Sequence, residues 1–297
     1  MANLRDIRTR ITSIKNTQQI TKAMKMVAAA KLRKAQQRME ETRPYAKKMR
    51  DVVSRLVSVS DVENKILRKP DETSRALMIV IGSDRGLCGG FNNNLFRYIE
   101  TYIADELISL YKNGKLDLVT IGRKADGYFK KRKYQVVDSH IGFFDDLNYE
   151  QTSEIMQEAI RKFEDGEYDK VFIAFNEFKS VISQKRVVTE VLPVETESMG
   201  DSSGDLASEF LDYIYEPDAA AILNEMLPVH LKMQLWRAVL ESNASEQGAR
   251  MAAMDNATEN AKELEQELRL KYNQARQSAI TTEISEIVSG AAALEGT

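Results

Sequence analysis

Both ends of the 297-residue chain carry an apolar repeat spaced by three and four residues, which constrains the fold more than any other feature. Near the N-terminus its positions are Leu4, Ile7, Ile11, Ile14, Gln18, Thr21, Lys25, Ala28, Leu32, Ala35, Met39 and Thr42. Near the C-terminus they are Leu231, Leu235, Ala238, Ser242, Ser245, Ala249, Ala252 and Asn256. Because a seven-residue repeat keeps one seam of a helix turned toward a partner, we expect the two helices to pair as a left-handed, antiparallel coiled coil.

Each terminal helix is predicted to be much longer than a compact domain is wide. Residues 1–59 contain no glycine, and Pro44 is the only residue expected to kink or break the first helix. About 55 helical residues span roughly 80 Å, so much of this helix should stand clear of any globular part. A second helix of similar length is predicted within 217–297, with Asp218 as its N-cap and a kink at Pro228.

The predicted seam is weakest in the middle of the coiled coil. Between Ala238 and Ala257 its positions are Ala, Ser and Asn, which bury little apolar surface. We expect these small residues to let the helices approach closely while leaving other faces free for outside partners. A second apolar stripe, outside the seam, is expected to contact another chain. It consists of Ile20, Met24 and Val27.

Between the helices, residues 75–216 show short apolar runs that alternate with amphipathic segments. The strands are predicted at Ala76–Ile81, Leu116–Ile121, Val136–Ile141, Lys170–Phe175, Val187–Val194 and Phe210–Tyr215. The helices are predicted at Phe91–Lys112, Arg123–Lys133 and Tyr149–Phe163. Strands that alternate with helices predict a mainly parallel α/β sheet. The expected fold is therefore a Rossmann-like α/β domain at 75–216, preceded by a polar linker at 60–74 and attached to the coiled coil of 1–59 with 217–297.

Composition argues against several classes of protein. The chain is 43% apolar and 29% charged, as is typical of a soluble folded protein. It has no uninterrupted apolar run of roughly 18 residues, so a membrane-spanning helix is not expected. The N-terminus lacks the apolar core of a signal peptide. The single cysteine, Cys88, cannot form an internal disulfide, which fits a reducing compartment.

Charge is distributed unevenly along the chain. Residues 1–50 hold 14 Lys and Arg against 3 Asp and Glu, a net charge of +11, whereas the whole chain has a net charge of −3. A helix this basic favours an acidic partner, which could be nucleic acid, an anionic membrane or a carboxylate-rich protein surface.

The loop after the first predicted strand is where a nucleotide site would be expected in a fold of this class. Its glycines, Gly82, Gly86, Gly89 and Gly90, do not fit the spacing Gly-x-Gly-x-x-Gly. The chain also lacks the Gly-Lys-Ser/Thr of a phosphate-binding loop. We interpret these glycines as permitting a tight turn and close packing of strand on helix.

Patterns for catalysis and metal binding are also missing. The two histidines, His140 and His230, have no ligand spacing around them, and His230 is interpreted as a partly exposed helix residue. No catalytic residue, cofactor or metal ion is predicted.

Four stretches of the sequence, at both ends and in the middle, share one resemblance. They are Ile14–Ala29, Ser83–Asn92, Ser245–Met251 and Ile280–Ala291. Together they closely resemble the gamma subunit of F-type ATP synthases. The resemblance implies a non-catalytic rotor shaft, with its coiled coil inside a ring of three alpha and three beta subunits. It also implies that the α/β domain, with the epsilon subunit, contacts a membrane ring of c subunits. Ion flow through that ring would turn the shaft and drive the beta subunits through their nucleotide cycle.

The same resemblance assigns residues to each partner. The residues expected to contact the beta subunits are Arg250, Glu246, Gln247, Met24, Lys25 and Lys31. Those of the bearing tip are Ala291, Ala292, Ala293 and Leu294, and those of the foot that meets epsilon and the c-ring are Tyr213 and Tyr215. For Arg250 the alternative is an intrahelical ion pair with Glu246. For the two tyrosines it is packing within the chain.

The resemblance further implies no cofactor, no nucleic acid, and membrane contact only through partner subunits. It places the protein at the cytoplasmic face of the bacterial cell membrane, since the cysteine pair of plant chloroplast gamma subunits is missing. Two other functions remain open: an autonomous nucleotide-binding α/β enzyme with helical arms, and a basic coiled-coil adaptor on nucleic acid or anionic lipid.

Overall fold

The computed structural model describes residues 4–59, 64–68, 70, 72–194 and 215–295, without the side chains of 58–59 and 292–295. The described chain forms two compact units. One, which we term the two-helix unit, consists of residues 1–28 and 251–297; the other, the sheet unit, consists of residues 29–250.

Two long helices dominate the chain, as predicted. Helix α1 is Leu4–Val59 and helix α6 is Ala219–Glu295. Both remain helical through their prolines, Pro44 and Pro228, so the break considered at Pro44 does not occur. Apolar side chains beyond each proline are buried in the core, and this packing favours continuation of the helix. The predicted cap is present, because Asp218 Oδ1 accepts a hydrogen bond from the Ala221 amide at 2.8 Å.

In the two-helix unit, α1 and α6 run antiparallel. Thr21 Oγ1 lies 2.7 Å from Thr258 Oγ1, and Lys25 Nζ lies 2.6 Å from Asp255 Oδ1. Later residues of α1 therefore pair with earlier residues of α6. The predicted seam positions of α1 from residue 4 to residue 28 are all buried or half-buried, which agrees with the repeat.

On α6 the predicted seam is wrong in this unit, because Asn256 is exposed. The non-exposed positions continue instead at a spacing of three and four through Met254, Thr258, Ala261, Glu265, Leu268, Tyr272 and Ala275. This stripe is displaced by two residues, or about 200° around the helix. The earlier part of the predicted stripe belongs to the sheet unit, where it packs on the sheet. A single stripe along α6 therefore cannot describe both the contact with the sheet and the contact with α1.

The sheet unit contains a five-stranded sheet in the order β3-β2-β1-β4-β5. The strands are β1 Ala76–Ile81, β2 Leu116–Ile121, β3 Gln135–His140, β4 Lys170–Phe178 and β5 Gln184–Leu192. The first four are parallel to their neighbours, and β5 is antiparallel to β4. The predicted mainly parallel sheet is confirmed.

Helices cover both faces of this sheet. The shorter helices are α2 Phe91–Glu106, α3 Ile108–Lys112, α4 Arg123–Lys131 and α5 Tyr149–Glu164. Alternate residues of β1 enter two separate cores: Leu77, Ile79 and Ile81 pack with α1, α5 and α6, whereas Ala76, Met78 and Val80 pack with α2 and α4. Strands that are buried on both faces are usually near-continuous apolar runs, which explains the unbroken run of β1.

Three predictions outside the main elements have different outcomes. The predicted helix 91–112 is interrupted at Leu107, which separates α2 from α3. The linker 60–74 is not wholly a solvated connector, because a short 3₁₀ helix at Lys65–Leu67 buries Ile66 in the core. Most of the strand predicted at 210–215 lies outside the described residues, and Tyr215 is not part of a strand.

None of the helices in the described part of the chain is sufficiently long and apolar to cross a bilayer.

Candidate functional site

Helix α6 occupies the crevice at the carboxyl ends of β1 and β4. These neighbouring strands mark the switch point of the sheet, where ligands bind in open α/β folds. Here Ser242 Oγ donates to Ile81 O at 3.4 Å, and Ser245 Oγ donates to Asn176 O at 3.0 Å. Both serines are fully buried. The usual nucleotide position is therefore filled by the chain itself, which argues against the autonomous nucleotide-binding enzyme.

The small residues of α6 bring this helix onto the sheet. From Ala238 to Gly248 every residue is buried except Asn243, which is half-buried, so the helix is enclosed on all sides here. A Cβ on Gly248 would lie 3.5 Å from both the Phe178 ring and the Val181 backbone. The expectation that these small residues leave faces free for partners is wrong for this segment.

The structure brings together three of the residues predicted to contact the beta subunits. Arg250 Nη2 lies 2.6 Å from Glu246 Oε1, and Arg250 Nη1 donates to Gln247 Oε1 at 3.1 Å. The intrahelical pair considered as an alternative is therefore present. Burial raises the pKa of the Glu246 carboxyl, although the adjacent Arg250 opposes that shift.

Arg250 also reaches the glycine-rich loop, residues 83–90, which the sequence did not predict. Its Nη2 donates to Gly86 O at 3.2 Å and to Arg85 O at 3.4 Å. The Arg250 side chain is only 11% exposed. A guanidinium has five N–H donors, and these contacts take up the donors of Nη2 and part of those of Nη1.

Asp84 ties this loop to its neighbours at the same edge of the sheet. Its Oδ1 accepts from the amides of Arg123 at 3.0 Å and Gly142 at 2.8 Å, and its Oδ2 accepts from the Phe144 amide at 3.1 Å. These amides belong to the segments that follow β2 and β3. Asp84 was not among the predicted site residues, although its place just after a buried parallel strand was a usable signal.

Two glycines permit the close approach of these segments. A Cβ on Gly82 would lie 2.9 Å from Ala125 Cβ of α4. Gly122 has φ +96°, and a Cβ there would lie 2.9 Å from the Ser83 carbonyl carbon. The geometry at Gly82 therefore agrees with the interpretation that the glycines of this loop permit close packing of strand on helix.

Lys31 lies beside the same cluster. It lines a polar cavity of about 350 Å³ together with other basic residues of α1 and acidic residues of the loops. The charged lining residues are Lys31, Lys34, Arg38, Asp84, Arg85, Asp145, Asp146, Glu246 and Arg250. These residues form a surface of the sheet unit that carries charges of both signs, which we term the charged surface around Arg250.

Met24 and Lys25 belong to the two-helix unit. Lys25 pairs with Asp255 there, and both side chains remain substantially exposed. Met24 is half-buried, whereas its stripe neighbours Ile20 and Val27 are 60% and 57% exposed. Two of the three residues of this apolar stripe, Ile20 and Val27, are therefore exposed in the described chain.

The far end of α6 has no covering segment among the described residues. The residue numbers of each antiparallel pair add up to about 280 (21 and 258, 25 and 255), so the first residue of α1, Leu4, lies level with about residue 276. All side chains from 276 to 291 are exposed, including Ile280, Ile284, Ile287 and Ala291. The side chains of Ala292, Ala293 and Leu294 lie outside the described residues.

Of the two foot tyrosines, the structure describes Tyr215. Tyr213 lies outside the described residues. Tyr215 is half-buried and packs against the core formed by α1, α5 and α6.

The interpretation of His230 as partly exposed is wrong, because it is 3% exposed. Burial lowers its pKa to about 4, and its Nε2 lies 2.7 Å from Gln234 Nε2. No group of three or more His, Cys, Asp or Glu residues in the described part of the chain could hold a metal ion.

A protein-family model described as ATP synthase matches residues 3–294. An ATP synthase gamma chain from Prosthecochloris aestuarii is 48% identical over the full length of both chains. Another, from Chlorobium phaeobacteroides, is 46% identical over the full length of both. The chain belongs to the ATP synthase gamma-chain family.

Solved structures support the fold of this gamma-chain family member. A Tetrahymena thermophila mitochondrial ATP synthase central stalk and c-ring structure contains a chain that is 25% identical, with a TM-score of 0.59. The match covers 80% of this chain and 99% of that one. A Euglena gracilis mitochondrial ATP synthase rotor contains one that is 21% identical, with a TM-score of 0.67, and the match covers 93% and 98%. The latter similarity concerns the fold.

Proposed function

We propose that this chain is the central rotor shaft of an F-type ATP synthase. Its full-length similarity to ATP synthase gamma chains carries the proposal. The long antiparallel helices support it, because a shaft must extend well beyond its base. The chain is non-catalytic and transmits rotation between an ion-driven membrane ring and the nucleotide sites of the beta subunits.

The partners in this proposal are three alpha and three beta subunits, the epsilon subunit and the c-ring. The solved relatives include one described as a rotor and one as a central stalk with a c-ring. The shaft touches the membrane only through these subunits, at the cytoplasmic face of a bacterial cell membrane. No cofactor and no nucleic acid take part.

The beta subunits contact the charged surface around Arg250. Lys31, Glu246 and Gln247 adjoin Arg250 at the polar cavity, and the α1 side of that cavity is basic. A beta-subunit loop rich in carboxylates would find charge complementarity there. Arg250 offers such a loop only the donors that Glu246, Gln247 and the glycine-rich loop leave available.

Met24 and Lys25 provide a second contact with the beta subunits, on the two-helix unit. Lys25 keeps an exposed charge, and the neighbouring Ile20 and Val27 present apolar surface that a partner would bury.

The ends of the chain contact the remaining partners. Ala291, Ala292, Ala293 and Leu294 form the bearing tip, in which small side chains allow rotation within an apolar sleeve. The exposed Ile280 and Ile284 extend the apolar surface that leads to this tip. Tyr213 and Tyr215 belong to the foot that meets epsilon and the c-ring.

Native mass spectrometry of the complex purified from its source tests the rotor proposal. We expect one copy of this chain for every three beta subunits. Recovery of the chain only as a monomer or homodimer would contradict the proposal.

Substitution of the charged surface tests the beta contact. Lys31→Ala and Arg250→Ala should clearly lower the ATP turnover of the assembled enzyme while changing the free energy of unfolding of the chain only slightly. The matched control is Lys262→Ala, which removes an exposed lysine that pairs with Glu259 on the same helix. A loss of stability without a loss of turnover would make Arg250 a structural residue only.

A further inference from the structure

We propose that Asp84 is the positioning residue of a torsional joint, in which the glycine-rich loop holds helix α6 through Arg250 against rotation about its own axis. This inference rests on the proposed rotor function. It concerns the connection between α6 and the sheet within one subunit, and it adds to the contacts between subunits described above.

Asp84 is fixed by three backbone amides from two other segments. Because both carboxylate oxygens accept hydrogen bonds at 2.8–3.1 Å, the side chain cannot rotate without losing at least one of them. Hydrogen bonds to an ionised carboxylate are stronger than those between neutral groups. The start of the glycine-rich loop is thereby attached to the segments after β2 and β3.

The two residues that follow Asp84 supply the carbonyls that receive Arg250. Arg85 O and Gly86 O both accept from Arg250 Nη2. The Ser83 hydroxyl also donates to Arg85 O at 2.8 Å. These carbonyls follow the position of the loop backbone, which is attached to other segments by hydrogen bonds that include the three of Asp84 and the one that Ser83 O accepts from the Lys124 amide at 2.8 Å.

A contact made by Arg250 resists rotation of α6 better than the serine contacts do. The Cα atoms of a helix lie about 2.3 Å from its axis, and the hydroxyl oxygen of a serine is only two bonds from its Cα. The long arginine side chain places its guanidinium at a larger radius, so the same force gives a larger moment. The buried pair with Glu246 holds the arginine in the required direction.

Loss of the Asp84 carboxylate leaves three amides without their acceptor and frees the loop carbonyls to move away from Arg250. Torque between α6 and the sheet is then transmitted less completely. ATP hydrolysis continues, since it occurs in other subunits, but fewer ions are pumped for each ATP.

The experiment compares variants in the complete enzyme, in membrane vesicles, by the ratio of ATP-driven ion pumping to ATP hydrolysis. We expect Asp84→Ala and Arg250→Ala each to lower this ratio about twofold or more. The double variant should be no lower than Arg250→Ala, because Asp84 acts through Arg250. Asp84→Asn keeps one acceptor oxygen and should restore most of the ratio.

The matched control is Asp165→Asn, which removes an exposed carboxylate that pairs with Arg161 and does not line the polar cavity. An unchanged ratio in Asp84→Ala would overturn the joint. A further fall in the double variant, or an equal fall in Asp165→Asn, would also overturn it. If the Asp84→Ala chain does not assemble, the cycle is run with Asp84→Ser, which keeps only a hydroxyl in place of the carboxylate, and the same fall in the ratio and the same non-additivity are required.

The wild-type complex separates this inference from the rotor proposal. If the wild-type complex lacks this chain, or does not pump ions when it hydrolyses ATP, the rotor proposal fails. If it pumps normally while the Asp84 cycle is additive, only the joint fails.

Discussion

The buried His230 should make the chain lose stability in mild acid. Burial against the core, with Arg50 nearby, lowers the pKa of His230 from 6.5 to about 4. The folded state therefore keeps this imidazole neutral at pH values at which the unfolded chain binds a proton. Stability is unaffected above the unfolded pKa, falls as the pH drops from 6.5 toward 4, and the loss is complete below the folded pKa.

The size of this effect follows from the two pKa values. At pH 5 the unfolded state is almost fully protonated at His230, whereas the folded state is protonated to about one part in ten. The free energy of unfolding is then lower by about 2 kcal/mol than at pH 7.5, and the limit below pH 4 is about 3 kcal/mol.

Urea unfolding of wild type and His230→Gln at pH 7.5 and pH 5.0 isolates this contribution. Carboxylates also titrate over this range, but their effect is common to both proteins and cancels in the difference. The only tryptophan, Trp236, lies on the same helix and packs beside the same core, so its fluorescence reports this region. His140→Gln is the control, because His140 is the only other histidine.

Wild type should lose about 2 kcal/mol more than His230→Gln between the two pH values. His140→Gln should behave as wild type does. If His230→Gln loses as much stability as wild type, the imidazole is not buried in its neutral form and the reasoning is wrong.

Four further substitutions test the packing and the partner contacts. Gly248→Ala should stabilise the chain by about 0.5–1 kcal/mol in urea unfolding, because a Cβ fits at 3.5 Å and alanine favours the helix. Gly122→Ala should lower stability by at least about 1 kcal/mol, since φ is +96° and the Cβ would clash with backbone. Ser245→Ala should cost about 1 kcal/mol, because a buried backbone carbonyl loses its donor. Lys25→Ala should change stability by less than about 1 kcal/mol, since its pair with Asp255 is exposed, yet lower ATP turnover of the assembled enzyme.

Regular elements were predicted well because their patterns depend on local periodicity and burial. The bounds of β2, Leu116–Ile121, agree with the prediction, because its buried residues are apolar except for Asp117 and Thr120. The seam of α1 agrees for the same reason. The absence of glycine from residues 1–59 favoured one long helix, and α1 is such a helix, with 56 residues.

Predictions about α6 were less complete, because periodicity shows which residues share a face and not what that face meets. The stripe through Ser242 and Ser245 suggested a seam toward α1, but these serines donate to backbone carbonyls at the end of the sheet. The sequence could not show whether this stripe meets α1 or the sheet, since small polar residues allow a helix to approach either of them closely.

For the residues predicted to contact the beta subunits, the sequence likewise predicted part of the arrangement, and the tertiary structure decided the rest. The repeat indicated long helices, the charge count indicated a basic surface, and the family resemblance grouped Arg250 with Glu246 and Gln247. Only the pair of Arg250 with Glu246 follows from spacing along one helix. Only the tertiary structure decided that Arg250 also reaches Gly86 O and that Asp84 holds the loop. Those contacts join segments far apart in sequence through backbone atoms, and backbone atoms are the same in every residue, so they leave no pattern in the sequence.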